Sequence, residues 1–156
     1  MKALSRGRRW TAMTLLVVAG VGMPGFAASA AAAEIGQIKV SKGPVVVDRQ
    51  GRTLPGSVGL RLEAADVVKT GADGSVGITM SDNSLLSAGP NSILSLERFE
   101  FDPTTSQGRF DAQLQRGTLA VISGRIAKQS PQAMMVRTPS AALAVRGTEF
   151  VVSADD

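Results

Sequence analysis

The sequence predicts an all-β domain for almost everything after Glu34, on three observations. Apolar and polar residues alternate with a period near two in almost every window. Turn-forming residues recur about every 10 residues, a spacing typical of sandwiches, barrels and short solenoids. No stretch combines helical periodicity with a capping residue over the ~12 residues that a helix usually needs.

The predicted strands are short and follow one another closely. The clearest is 75–80, where Val76, Ile78 and Met80 share one face and predict a half-buried strand. The continuous apolar run 119–122 is typical of a strand that is covered on both faces. Two polar stretches, 102–108 and 128–132, are predicted to be loops. The other predicted strands are 36–40, 45–48, 60–63, 67–68, 85–86, 93–96, 99–101 and 110–115, with two more inside 136–152.

The N-terminus has the pattern of a secretory signal peptide. Four basic residues precede an apolar run over 12–21, a Pro24-Gly25 break and small residues to Ala33. Cleavage after Ala30, Ala32 or Ala33 fits the pattern equally. The competing interpretation is an uncleaved anchor, because positions 11–33 are mostly apolar and about 18 such residues can span a bilayer. We predict a signal peptide over 1–33 and one domain over 34–156, secreted or periplasmic.

Removal of that segment changes the charge of the chain. The segment carries four of the 17 Lys+Arg residues and no acidic residue, so 13 basic residues remain against 13 acidic ones. A neutral domain with dispersed charges has no electrostatic footprint for nucleic acid or for an anionic membrane. We therefore expect no nucleic-acid partner and no membrane span after cleavage.

The composition argues against most catalytic and cofactor chemistry. The chain has no His and no Cys, which removes the usual base of a serine nucleophile, the usual ligands of zinc or copper, and any disulfide. Glu97, Glu100 and Asp102 lie close enough for a paired-carboxylate site, but their pattern with Arg98 is typical of a solvated strand face. We expect a protein that is not an enzyme and that holds no metal and no other cofactor.

Two binding interpretations rest on residue types alone. Asp66, Asp73 and Asp82 offer loop oxygens for Ca²⁺, although aspartate in such turns usually stabilises the turn itself. A sugar-binding module commonly presents Trp or Tyr, and the mature part has neither. Its four aromatic residues are predicted to fill the core: Phe99, Phe101, Phe110 and Phe150.

The stretch 136–152 contains the most distinctive pattern in the chain. Two strand-like runs flank Pro139, which cannot donate to a ladder and therefore marks a turn or an edge. Gly147 allows a bend before β-type residues resume. Arg146 is charged within an apolar run, so it needs partners or an exit to water. The first interpretation is that it bonds loop carbonyls or a carboxylate at the Gly147 corner, and the second is that it presents a charge to a partner. Arg137 is predicted to face solvent, with the same two interpretations.

This stretch resembles the closing motif of the FecR domain family, which has Thr-Pro, an alanine spacer and Val-Arg-Gly-Thr-x-Phe-x-Val. The resemblance extends upstream over most of 36–152, through 62–71, Asp82-Asn83-Ser84, 89–92 and 114–117. Two positions depart from the family, which usually has glycine where Ala65 and Asn83 stand here. The resemblance implies a compact two-sheet, β-solenoid-like stack of short strands, and periodicity alone leaves an antiparallel β-sandwich open.

The resemblance also implies a function. Domains of this family lie on the periplasmic side of transmembrane regulators that relay the state of an outer-membrane transporter to a sigma factor. The chain has the domain without the cytoplasmic part and internal span of such regulators, so we expect a freestanding binding or signalling module with an envelope protein as partner. A structural or polysaccharide-associated envelope component is the alternative. The residues predicted to carry partner binding are Arg137, Thr138, Pro139, Val145, Arg146, Gly147, Thr148 and Phe150.

Overall fold

A computed structural model describes residues 32–145 and 148–155, and the predicted signal peptide lies almost entirely outside them. The described part contains twelve strands and two short helical segments. Alternating apolar residues form the strands, and turn residues separate them. In chain order the strands are β1 (Glu34–Lys42), β2 (Val45–Arg49), β3 (Arg52–Pro55), β4 (Arg61–Glu63), β5 (Val67–Thr70), β6 (Ser75–Met80), β7 (Leu85–Ala88), β8 (Ile93–Phe101), β9 (Gly108–Ile122), β10 (Met134–Arg137), β11 (Ala142–Ala144) and β12 (Glu149–Ala154).

The strands join into one curled sheet that forms a half-barrel. Its main order is β3-β2-β5-β8-β9-β7-β6-β1-β4. Off this path, β10 and β12 pair with β9, and β11 pairs with β10. Among the described strands, β9 and β10 pair in parallel and every other pairing is antiparallel. The all-β prediction is confirmed. The pairing does not separate the strands into a solenoid-like two-sheet stack or a sandwich, because β9 belongs to both halves of the sheet.

The 15 residues of β9 are long enough to serve two sets of neighbours. Its first half pairs with β8 and β10, and its second half pairs with β7 and β12. Gly117 stands at the junction with a φ of +93°, and a Cβ at this position would collide with Ser92. Glycine therefore allows β9 to cross from one half of the sheet to the other.

A single apolar core lies inside the curl. The predicted alternation in β6 is confirmed, with Val76, Ile78 and Met80 all buried. Phe110 is fully buried and meets Phe99 edge to face, with ring centroids 5.5 Å apart. Phe99, Phe101 and Phe150 are partly buried and pack against this core.

Two sequence predictions about local structure are wrong. Residues 125–129 form a short helix, α1 (Arg125–Gln129), followed by a 3-10 turn over Pro131–Ala133, where 128–132 was expected to be a loop. Five residues suffice because Ile126 and Ala127 are buried, so packing rather than helix propensity stabilises the segment. The run 119–122 is not covered on both faces, since Ile122 is 43% exposed.

Candidate interaction surface

The first half of the 136–152 motif forms the hairpin β10–β11. In its turn the Thr138 N–H donates to the Ala141 carbonyl (2.7 Å), and the Ala141 N–H donates to Thr138 Oγ1 (3.0 Å). Pro139 occupies an exposed position in this turn, where its missing N–H leaves no ladder bond unmade. The turn returns the chain so that Leu143 lies opposite Val136.

Arg137 closes β10, and its side chain reaches across β9 to β8, which pairs with the other side of β9. Its Nη1 lies 2.9 Å from Glu97 Oε2, and the two side chains are 43% and 35% exposed. Ion pairs this open to solvent contribute about 0 to 1 kcal/mol. The guanidinium is therefore oriented by Glu97 and remains accessible, in line with the predicted solvent-facing position.

The next strand, β11, is exposed at all three residues. Val145 then turns inward: it is buried, and its N–H donates to the Met134 carbonyl (3.1 Å). Arg146 and Gly147, the pair for which the sequence predicts a charged corner, lie outside the described residues. Both interpretations of Arg146 therefore stay predictions.

The last part of the motif forms β12, on the other half of the sheet from the hairpin. Thr148 is exposed and its carbonyl accepts from the Ser123 N–H (2.8 Å), which aligns β12 antiparallel to β9. Phe150 lies opposite Val121 and is partly buried. A groove of about 260 Å³ brings the hairpin and β12 together, lined by Leu143, Ala144, Val145, Phe150 and Val151.

The outward face beside β12 is also apolar. Four of the six large apolar side chains that are exposed in the described part of the chain lie on this face. Residues that lie opposite one another on neighbouring strands form a row across this face, with a valine at each end and small residues between them. The small residues border a depression of about 280 Å³. The row is Val40, Gly77, Ser87, Ala120 and Val151, and the neighbouring row contains Leu85 and Ile122.

Asp82, one of the three aspartates considered as calcium ligands, accepts hydrogen bonds from its own chain. Its carboxylate accepts from the Ser84 N–H (3.0 Å), the Ser84 hydroxyl (2.8 Å) and the Ile126 N–H (3.3 Å), and the side chain is fully buried. These bonds attach the β6–β7 turn to the start of α1. Asp73 is exposed in the β5–β6 turn.

Asp66 is also fully buried, and it is bound by an arginine that the sequence analysis did not single out. Asp66 accepts from Arg49 Nε (2.9 Å), Arg49 Nη2 (2.6 Å) and the Glu63 N–H (2.9 Å). Arg49 Nη1 also meets Glu63 Oε1 at 2.7 Å. The hydrogen bond to Asp66 raises the pKa of Arg49 above its ordinary value. The sequence does contain a signal for a buried ion pair here, because Arg49 lies on the same strand face as Val45 and Val47.

The carboxylates of Asp66 and Asp82 therefore stabilise turns. Among the residues that the structure describes, no group of three acidic, His or Cys side chains could hold a metal. The three carboxylates considered for glycosidase chemistry are also engaged at the surface. Glu97 pairs with Arg137, Glu100 with Arg98 (2.7 Å), and Asp102 accepts from the Thr104 N–H (2.8 Å).

The two departures from the family pattern occupy left-handed positions. Ala65 has a φ of +69° and Asn83 a φ of +66°, conformations that glycine adopts without steric cost. Asparagine tolerates this region, whereas alanine is strained in it. The glycines that the family usually has at these positions match this backbone.

Comparison with known proteins supports the same family. The model of the family described as "FecR protein" matches residues 66–156, more than half of the chain. The match begins at Asp66, so β1 to β4 lie outside it although they pair within the same sheet. No curated protein and no solved structure shows a significant match. In the described part of the chain, no helix has the length and apolar composition to cross a membrane.

Proposed function

Because this chain belongs to the FecR family, we propose that it is a non-enzymatic signalling or binding module of the bacterial envelope. The proposal places residues 34–156 in the periplasm or outside the cell, after export by a signal peptide over 1–33. It assigns as partner an outer-membrane receptor or a membrane-bound regulator. The observation that carries it is the family match over 66–156.

The geometry of the closing motif supports a role in partner contact. The hairpin β10–β11 presents an accessible Arg137 and the exposed residues 139–144, and it borders the groove beside Phe150. Exposed apolar side chains grouped with an accessible cation are typical of protein interaction sites. We assign partner contact to Arg137, Thr138, Pro139, Thr148 and Phe150, and to Arg146 and Gly147 from the sequence motif. Val145 is buried, so its proposed role is to line the groove that the partner would contact.

An in-cell crosslink tests this assignment. A photoreactive amino acid replaces Leu143, which is 41% exposed at the groove, or Val58 as the control, which is 62% exposed between β3 and β4. The tagged full-length chain is expressed in its native host, and mass spectrometry identifies the adducts and the mature N-terminus. We expect the Leu143 variant to capture an outer-membrane receptor or a membrane-bound regulator, and the Val58 variant not to.

The alternative, a structural or polysaccharide-associated component, predicts a different set of adducts. Capture from Leu143 of envelope structural proteins or glycan alone would contradict the signalling function. An N-terminus that still begins at Met1 would contradict export with cleavage.

A further inference from the structure

Within residues 32–145 and 148–155, one side of β12 is an open strand edge. β12 pairs with β9 from Glu149 to Ala154, and no described strand pairs with its other side. In an antiparallel ladder, residue pairs that exchange hydrogen bonds alternate with pairs that do not. The Thr148 carbonyl accepts from the Ser123 N–H, so every second residue after Thr148 also bonds β9. The backbone groups of Phe150, Val152 and Ala154 therefore point to β9, and those of Glu149, Val151 and Ser153 point outward.

Other edges of the sheet carry features that discourage pairing, and β12 has none of them. β3 has four residues, beginning with Arg52 and ending with Pro55. β4 has three, and its Arg61 is bound to Glu34 (3.1 Å). β12 has six residues with no proline, no basic residue and no bulge against β9. Long, regular and apolar edges of this kind readily accept another strand.

We propose that the strand accepted by β12 is the β12 of a second copy of this chain, antiparallel about a two-fold axis through Val151. In this register Val151 faces the Val151 of the other copy, and each Glu149 faces the other Ser153. Phe150 and Val152 pair on the inner face. All six residues of β12 then have strand or flanking residues opposite them, and the contact is self-complementary as a two-fold interface requires.

Charge selects this register over its neighbours. A shift of two residues in one direction places Glu149 opposite the other copy's Asp155, and like charges directly opposite are destabilising. The same shift in the other direction leaves only residues 149–151 of each β12 paired. Shifts by one residue place outward side chains opposite inward ones. The register centred on Val151 avoids the like-charge contact, keeps all of β12 paired and places outward side chains opposite outward ones.

The side chains near the two-fold axis favour formation of the dimer. Val151 is 64% exposed and Glu149 has no ion pair among the described residues. Pairing covers Val151 and brings Glu149 to the Ser153 hydroxyl. Contacts of one six-residue edge are at the small end of specific interfaces, so we expect a reversible dimer with a Kd on the order of 100 µM.

Single cysteines test the register, because the chain has none of its own. Val151→Cys places two cysteines about 5.5 Å apart in Cα position, within disulfide range, whereas two Ser153→Cys residues lie about 14 Å apart along the strands. With the mature chain and diamide as oxidant, we expect a disulfide dimer from Val151→Cys. Ser153→Cys and the exposed control Val58→Cys should remain monomeric.

Charges at position 153 test the same register without a covalent bond. Ser153→Lys places a lysine opposite each Glu149 and should strengthen the dimer by about fivefold, whereas Ser153→Glu should weaken it by about fivefold. Val151→Lys should abolish it and Val58→Lys should not. Sedimentation velocity of the mature chain from 10 µM to 1 mM measures all four.

Three results would overturn the proposal. The first is a wild-type chain that is monomeric up to 1 mM. The second is a dimer whose affinity is the same for Ser153→Lys and Ser153→Glu. The third is a photoreactive residue at 151 that captures, in the native host, a strand of another protein and no second copy. The first two results do not bear on capture from Leu143, so they separate failure of the dimer from failure of the proposed function. The third result overturns the dimer and leaves a partner at the groove that Val151 shares with Leu143.

Discussion

Two regions border the end of β9 and treat their polar groups in opposite ways. On one side, the Asp82 carboxylate in the β6–β7 turn accepts three buried hydrogen bonds, two from Ser84 and one from the Ile126 N–H. On the other side, β12 bonds β9 along one edge and leaves Glu149, Val151 and Ser153 facing outward. The turn at Asp66 resembles the first region, with Arg49 as its donor. Family landmarks therefore divide into turns that hold the fold and a closing motif that leaves its surface open.

The largest expected effect is the loss of Asp82. Asp82→Ala leaves buried N–H groups of Ser84 and Ile126 without an acceptor, and each unsatisfied buried donor costs about 1 to 3 kcal/mol. We expect the free energy of unfolding to fall by about 3 kcal/mol in urea titration. Asp73→Ala, at an exposed turn aspartate, is the matched control and should change it by less than about 0.5 kcal/mol. Equal effects of the two variants would remove the distinction between the regions.

The second effect concerns Arg49. Arg49→Met leaves the buried Asp66 carboxylate without its cation, and breaking such a pair from one side is strongly destabilising. Because Arg49 is itself 21% exposed, we expect a loss of about 2 kcal/mol, below the fully buried case. The double variant Arg49→Met with Asp66→Leu should be less destabilised than the sum of the two single variants. Additive losses in this cycle would show that the pair does not act as a unit.

A smaller effect of opposite sign is expected at Ala65. Ala65→Gly relieves the left-handed conformation, worth about 1 to 2 kcal/mol, against an entropy cost of about 0.5 to 1 kcal/mol for glycine. The net expectation is a stability gain of about 0.5 kcal/mol, measured by the same titration. Asn83→Gly, at the position where asparagine tolerates the same φ, should gain less. A loss at Ala65 would mean that its methyl group contributes packing that exceeds the strain.

The smallest effect is an acid dependence at Asp48. The hydrogen bond from Lys69, followed by that from Thr53, lowers the pKa of Asp48 below its ordinary 3.8. A carboxylate with a depressed folded pKa stabilises fully above its unfolded pKa, and this stability is lost as the pH falls through the folded value. The Tm difference between wild type and Asp48→Asn should therefore be small but present at pH 7 and should shrink as the pH falls below 3.8. A difference that does not shrink below pH 3.8 would point to packing instead of charge.

The sequence predicted the elements better than their partners. Alternation located β6 and most of the other strands because period two depends only on neighbouring residues. It could not find the bond between Arg49 and Asp66, since 17 residues and two strands separate them. It also could not tell that Ile122 is exposed, because an apolar run looks the same whether one face or both are covered. Helix α1 was missed because its stability comes from the burial of Ile126 and from the bond of the Ile126 N–H to Asp82, and not from the helix propensity of its five residues.

Within the candidate site, the turn and the strands of the motif could be predicted, but the edge could not. Pro139 marks a turn from its chemistry alone. The strand with which β12 pairs depends on the crossing of β9 at Gly117, after which β9 has β7 on one side and β12 on the other.

Residue-resolved hydrogen exchange of the mature chain tests the contrast between buried turns and open edge most directly. In a dilute sample, well below the dimer Kd, we expect slow exchange at the Ser84 and Val152 amides and fast exchange at the Val151 and Ser153 amides. Exchange at Val151 as slow as at its neighbour Val152 in that monomer would mean that the outer edge of β12 is already paired, and would contradict the account.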